Sequence, residues 1–184
     1  MNVFIFGGSF DPPHVAHVLA ITYVISTYDA DEVLVVPCYR HPLGKELTPF
    51  EDRIAMCERA MAWLPRTVVS RVEEQLGGES RTLRTIEHLR QENPDWRMRL
   101  VVGADILLEG KRWHAFDRIV ELAPLLVLGR VGVEAKGAPP PILPDVSSTA
   151  IRDAVRKHRI GPLAPLVPPS VLSYIETHRL YRGP

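Results

Sequence analysis

The stretch Asn2-Val3-Phe4-Ile5-Phe6-Gly7-Gly8-Ser9-Phe10-Asp11-Pro12-Pro13-His14-Val15-Ala16-His17 decides the architecture of this chain. Its first five residues form a short apolar run that stops at two glycines, which predicts a buried strand. Beyond Pro12-Pro13, residues 15–26 keep apolar side chains at helical spacing, with Val15, Val18, Leu19, Thr22 and Ile25 expected on one side. A strand, a glycine-containing loop and a helix in that order form half of a βαβ unit. In a doubly wound sheet, ligands bind beyond the carboxyl ends of the strands, so this loop is the first place to look for a site. Gly7 and Gly8 leave backbone amides free to approach a phosphate, and the helix start adds positive potential. His14 and His17 lie three apart, so one helical turn gives them a common face.

Neither GxGxxG nor GxxxxGK[ST] occurs in this loop, so a bound nucleotide is held without a dinucleotide fingerprint or a Walker lysine. Taken singly, the parts read otherwise. Gly-Gly after a strand makes a turn, and H-x-x-H can be plain surface or half a zinc site. No third metal ligand stands at a sensible spacing.

Outward from the loop, strands are expected at Glu32–Val36, Thr67–Val72, Arg97–Val102 and Leu125–Leu128. Helices are expected at Phe50–Leu64, Thr82–Gln91, Ser148–His158 and Pro169–His178, with Ile106–Leu122 helical in pieces. Thr48 is the expected N-cap of the second helix, with Pro49 in its first turn. Ile54, Cys57 and Met61 mark the apolar face of that helix. The Pro-rich segment Ala138–Pro144 reads as a surface loop. Strand and helix in alternation predict an α/β, Rossmann-like, mainly parallel sheet with helices on both faces. Residues 1–184 fall within the usual size of one domain, so one nucleotide-handling domain is expected.

Composition narrows the function. The 184 residues are 46% hydrophobic and 24% charged, a globular balance, and 22 basic residues offset 22 acidic ones. Zero formal charge argues against a broad nucleic-acid or polybasic membrane surface. No apolar run approaches the roughly 20 residues of a membrane span, and no basic n-region or cleavage site opens the chain. Cys38 and Cys57 form no CxxC pair and read as small apolar side chains, which fits a reducing cytoplasm. The sequence leaves formation of a homo-oligomer open.

A second candidate phosphate site lies far along the chain, at Ser147-Ser148-Thr149-Ala150-Ile151-Arg152. Alone, Ser-Ser-Thr before an apolar-periodic stretch caps a helix. The same hydroxyls and amides could also hold phosphate, with Arg152 one turn in.

The first loop resembles the GxFDPxHxGH motif, and the second segment the SSTxIR motif, of the HxGH nucleotidylyltransferase superfamily. The resemblance implies that Gly7, Gly8, Ser9, Phe10, His14, His17, Ser148, Thr149 and Arg152 bind ATP, with His14, His17 and Arg152 catalytic. It also implies Mg²⁺ carried with the ATP and no metal held by the protein. Ala16 stands where the family has glycine, and its methyl is expected to crowd the adenosine side. Lys45 and Arg53 resemble a pattern shared across the superfamily.

Two further blocks are more selective. Ser80-Arg81-Thr82-Leu83-Arg84-Thr85-Ile86 resembles the SxTxxTL segment of bacterial nicotinate-nucleotide adenylyltransferases. Gly103-Ala104-Asp105-Ile106 through Trp113, His114 and Ile119 resembles their GADxL…W…I block, and the strand ending at Arg130 follows it. The implied acceptor is nicotinate mononucleotide, with Thr82 near the pyridine carboxylate, Trp113 on the ring, Asp105 toward ribose and Lys45 toward phosphate. Read without the resemblance, Trp113 suits a core and Asp105 a helix cap. Arg81 departs from the aromatic or histidine that often precedes that threonine. Nicotinamide mononucleotide, 4′-phosphopantetheine and a non-catalytic nucleotide-binding role are the competing readings.

Overall fold

The computed structural model describes residues 1–109 and 113–182. Six strands form one sheet: β1 (Asn2–Gly8), β2 (Glu32–Pro37), β3 (Thr67–Val69), β4 (Arg97–Gly103), β5 (Leu125–Arg130) and β6 (Pro141–Leu143). Their order across the sheet is β3-β2-β1-β4-β5-β6, and every neighbouring pair is parallel. The helices are α1 (Val15–Thr27), α2 (Phe50–Met61), α3 (Val72–Leu76), α4 (Thr82–Glu92), α5 (Ile106–Glu109), α6 (Phe116–Leu122), α7 (Ser148–Arg156) and α8 (Pro169–Thr177). This is the expected α/β Rossmann-like fold. Among the described residues no helix is long and apolar enough to cross a membrane.

Strands covered on both faces must be apolar on both, and these are. Val3 and Ile5 of β1 pack into one core with Leu34, Val36, Leu100 and Val102, beneath α4 and α6. Phe4, Val33, Val35, Val101 and Leu126 face the other core, against α1, α2, α7 and α8.

Four local expectations change. In α1 the buried face is Ala16, Val18, Ala20, Ile21 and Val24, while Leu19 is exposed. The helix carries no charged residue, so apolar spacing alone does not single out a face; the small alanines let it lie close to the sheet. β3 stops at Val69, and Val72–Leu76 turns into a short helix instead of continuing the strand. The structure places no side-chain cap on α2: Pro49 precedes its first residue, and the Thr48 carbonyl serves Arg53 instead.

The Pro-rich segment, expected to be loop, supplies edge strand β6. Proline tolerates an edge, where its missing N–H costs no ladder bond. Gly129 makes this pairing possible, because a Cβ there would sit 2.1 Å from the Pro140 carbonyl oxygen. Of the segment expected to be helical in pieces, α5 and α6 are present, and residues 110–112 lie outside the described residues.

Strand order reverses between β1 and β4. Gly7-Gly8 and Gly103 end these neighbouring strands, so the crevice between their carboxyl ends is where this topology places a ligand.

Candidate active site

The loop after β1 is bound tightly to its surroundings. Phe10 adopts φ 47° and buries its ring against Phe6, 5.6 Å away edge-on. The same ring lies 4.8 Å from that of His17 and supports it from beneath. His14 and His17 stack with ring centroids 3.8 Å apart. The His14 amide donates to His17 Nδ1 at 3.1 Å, which leaves Nε2 as the proton-bearing nitrogen of a neutral His17. Burial, and then the charge of Arg130, lowers His14 to about 4. His17 is held well below its ordinary value by burial, by His14 and by Arg130. Both imidazoles are therefore neutral N–H donors near pH 7. The buried Nδ1 of His14 has no partner among the described residues, an unsatisfied group of the kind found at functional sites.

Helix α7 docks directly on this loop from the far end of the sequence. Ser148 Oγ donates to the Pro12 carbonyl at 2.8 Å, and Arg152 Nη1 donates to the Asp11 carbonyl at 2.6 Å. Arg152 Nη2 also meets Thr149 Oγ1 at 3.2 Å. The cap itself is Ser147, whose side chain accepts from the Ala150 amide. The hydroxyls of Ser148 and Thr149 are thus not spent on capping. Imidazoles, hydroxyls and a guanidinium separated by more than 130 residues of chain meet at one place. Ala16 packs its methyl into the core beneath α1.

Arg130, at the end of β5, belongs to this cluster, although the sequence places it in a resembling block without assigning it a role. Its charge bears on both histidines, and its Nη2 donates to the Val146 carbonyl just before α7. The available signal was its position: the last residue of a strand that follows the GADxL…W…I block.

A second arginine joins the loops. Arg53 is 1% exposed, and its donors meet the carbonyls of Thr48 (2.8 Å), Ser9 (3.1 Å), Cys38 (2.6 Å) and Tyr39 (3.4 Å). Its guanidinium fork thereby ties the loop after β1 to the loop after β2, with its charge spread over carbonyl dipoles. Glu73, in the short helix α3, then ties the loop after β2 to the start of α4. Its carboxylate accepts from the Tyr39 amide at 3.0 Å, from Ser80 Oγ, and from Thr85 Oγ1 at 3.2 Å.

The residues expected to meet the acceptor line the same carboxyl edge with fewer bonds. Lys45 is exposed in the loop after β2, and Thr82 is the first residue of α4. Asp105 is exposed just past β4; its carboxylate folds back over Gly103, where a Cβ would lie 2.3 Å from Oδ1. Trp113 is half-buried and meets Phe116 edge-on, with centroids 6.4 Å apart. Arg81 is exposed and pairs with Glu79 at 2.8 Å. Lys45, Thr82, Asp105 and Trp113 follow the carboxyl ends of β2, β3 and β4 in the topology, and among the described residues no side-chain hydrogen bond joins them to each other. Both cysteines are free, Cys57 buried and Cys38 half-buried.

A cytidylyltransferase-like family profile matches residues 5–154, and the chain belongs to that family. It is 46% identical to a protein of Anaeromyxobacter dehalogenans named "Probable nicotinate-nucleotide adenylyltransferase", over 99% of this chain and 97% of that one. A protein of the same name from Thermus thermophilus is 35% identical, over 99% of this chain and all of the other. Among solved structures, Plasmodium falciparum nicotinic acid mononucleotide adenylyltransferase complexed with NaAD shares the fold. It matches with a TM-score of 0.85 at 20% identity, over 98% of this chain and 97% of that one.

Proposed function

We infer that this chain is a nicotinate-nucleotide adenylyltransferase: it transfers the adenylyl group of ATP to nicotinate mononucleotide, forming deamido-NAD and releasing pyrophosphate. The activity named for relatives that cover nearly the whole chain supports this. The carrying observation is the docking of α7 on the histidine loop, through Ser148 to Pro12 and Arg152 to Asp11. That contact brings hydroxyl and guanidinium donors from the far end of the chain onto the loop that carries both imidazoles.

In this reading an oxygen of the acceptor's 5′-phosphate attacks the α-phosphorus in line, and pyrophosphate leaves on the opposite side. The attacking group is already anionic, since the second pKa of a phosphate monoester is about 6, so no general base is needed. Catalysis is then alignment together with stabilisation of charge on the phosphoryl centre and leaving group. Neutral His14 and His17 donate N–H bonds to phosphate oxygens. Ser148, Thr149 and the α7 amides hold the outer phosphates, and Arg152 and Arg130 supply positive charge. Amides of Gly7, Gly8 and Ser9 line the approach.

On the acceptor side, Thr82 and the start of α4 receive the pyridine carboxylate, Trp113 stacks on the ring, Asp105 reaches ribose and Lys45 meets the phosphate. The donor set around the histidines is imidazole, hydroxyl and guanidinium, which suits phosphate and not a hard cation. A Mg²⁺ carried with ATP would be held by substrate and not by these residues, and would supply neutralisation of phosphate charge.

Pyrophosphate release from Mg-ATP, measured in turn with nicotinate mononucleotide, nicotinamide mononucleotide and 4′-phosphopantetheine, tests the reading. The acid nucleotide is expected to give the highest kcat/KM. Preference for either other acceptor would reassign the substrate, and silence with all three would make the chain a nucleotide-binding regulator.

A further inference from the structure

Asp11 is the acid of the histidine loop, yet its carboxylate does not face the crevice. It is 2% exposed, with Oδ1 accepting from the Tyr181 hydroxyl at 2.8 Å and Oδ2 accepting from the Thr48 amide at 3.3 Å. Tyr181 stands 170 residues further on, in the segment after α8. We propose that Tyr181 is a positioning residue for ATP: its hydroxyl fixes Asp11, and through Asp11 it sets the seat of Arg152 and the entry to His14.

Three observations support this. Asp11 is a junction at which four parts of the chain meet. The loop after β1 supplies it, Thr48 and Tyr181 hold its carboxylate, and its carbonyl is the acceptor for Arg152 Nη1. Any shift of the Asp11 backbone, which its anchored carboxylate resists, therefore displaces the guanidinium of Arg152. Next, the approach to Tyr181 is built at a cost to the backbone. Arg179 and Tyr181 take φ values of 55° and 62°, a left-handed conformation that residues with a side chain avoid unless their surroundings enforce it. At Arg179 the left-handed turn closes α8, with the Leu180 amide on the Ile175 carbonyl; at Tyr181 the enforcing contacts are its packing on the core and the bond to Asp11. Lastly, the phenol remains a donor throughout the working pH range, because burial and the Asp11 charge push its ionisation upward. A buried carboxylate that loses a donor must be rehydrated or moved, since its desolvation is no longer offset.

The proposal rests on the reading that this loop holds ATP, and the test separates the two. Tyr181→Phe keeps the ring and deletes only the hydroxyl. Mg-ATP affinity by calorimetry without acceptor, together with KM for each substrate, is compared among wild type, Y181F and L180A; the last loosens the same segment without touching Asp11. Loss of one hydrogen bond to a charged group predicts ATP affinity about ten-fold weaker in Y181F. KM for nicotinate mononucleotide stays within about two-fold of wild type and the melting temperature of Y181F does not fall below that of L180A. ATP affinity of Y181F equal to wild type overturns the proposal. So does an equal loss in L180A, which would reduce Tyr181 to packing. If wild type binds Mg-ATP but turns over no acceptor while Y181F still weakens ATP, the positioning role stands and the acceptor assignment falls.

Discussion

The two halves of the crevice are built differently. On the histidine side almost every polar group has a fixed partner: Arg152 on Asp11, Ser148 on Pro12, His14 on His17, Arg53 on Ser9. On the opposite rim Lys45 and Asp105 stand exposed, and Trp113 leans edge-on against Phe116. In the proposed reading the contrast follows from what each half must do. Stabilising charge on a phosphoryl centre requires donors whose orientation is set before the substrate arrives, because reorganisation during the reaction raises the barrier. Recognising an acceptor requires only that binding be favourable, so groups there can order around the ligand at some entropic cost. Substitutions of the donors themselves on the histidine side should therefore strike kcat, and those on the acceptor side KM for the acceptor.

His17→Ala gives the largest expected effect. It removes a donor held from beneath by Phe10 and fixed in its tautomer by the His14 amide. Turnover should fall about 10²–10³-fold, the usual loss for one charge-stabilising donor. KM for nicotinate mononucleotide should hold, and the circular dichroism spectrum should match wild type. A folded H17A enzyme turning over at the wild-type rate would erase the distinction between the halves at its strongest point.

A smaller effect concerns stability and pH. His14 is lowered to about 4 by burial and by Arg130, whereas in the unfolded chain it titrates near 6.5. Below about pH 6.5 the unfolded state takes up a proton that the folded state refuses, so folding free energy declines as pH drops. The decline is complete near pH 4, at about 3 kcal/mol from this residue. His41, in the acceptor loop, is also lowered by partial burial and by Lys45, but it is largely solvated and should add little. Urea unfolding at pH 7.5 and pH 5 should show the loss in wild type, a smaller one in His14→Gln, and an undiminished one in His41→Gln. Equal slopes for all three would mean that the buried imidazoles are charged after all, and that the neutral-donor account is wrong.

The sequence made the rigid half legible and left much of the soft half obscure, for physical reasons. His14, His17, Ser148 and Arg152 are carried by short motifs whose residue types follow from phosphate chemistry. Their meeting across more than 130 residues follows from the strand order. Arg130 closes a block that resembles the family's but carries no phosphate-binding signature of its own, and Tyr181 lies past the end of α8 with no local pattern around it. Glu73 escaped because its helix is only five residues long, beyond what periodicity can register. β6 was hidden by prolines that an edge strand tolerates. The face of α1 was misassigned because a helix apolar around most of its circumference gives no phase.

Trp113 is where the contrast is subtlest, since the residue both packs and, in the proposed reading, stacks on the pyridine ring. Its half-burial, edge-on against Phe116, leaves part of the indole free. Replacing it with leucine keeps apolar contact with Phe116 while deleting the flat surface. Aromatic stacking beyond simple burial contributes about 0.5–1.5 kcal/mol, so KM for nicotinate mononucleotide should rise roughly two- to ten-fold. KM for ATP and the melting temperature should stay close to wild type, because none of the contacts around His14 and His17 involves this residue. If Trp113→Leu instead lowers kcat and leaves the acceptor KM untouched, the indole belongs to the aligned half of the site, and the boundary between rigid and adaptable regions runs through α5 and α6 instead of along the crevice.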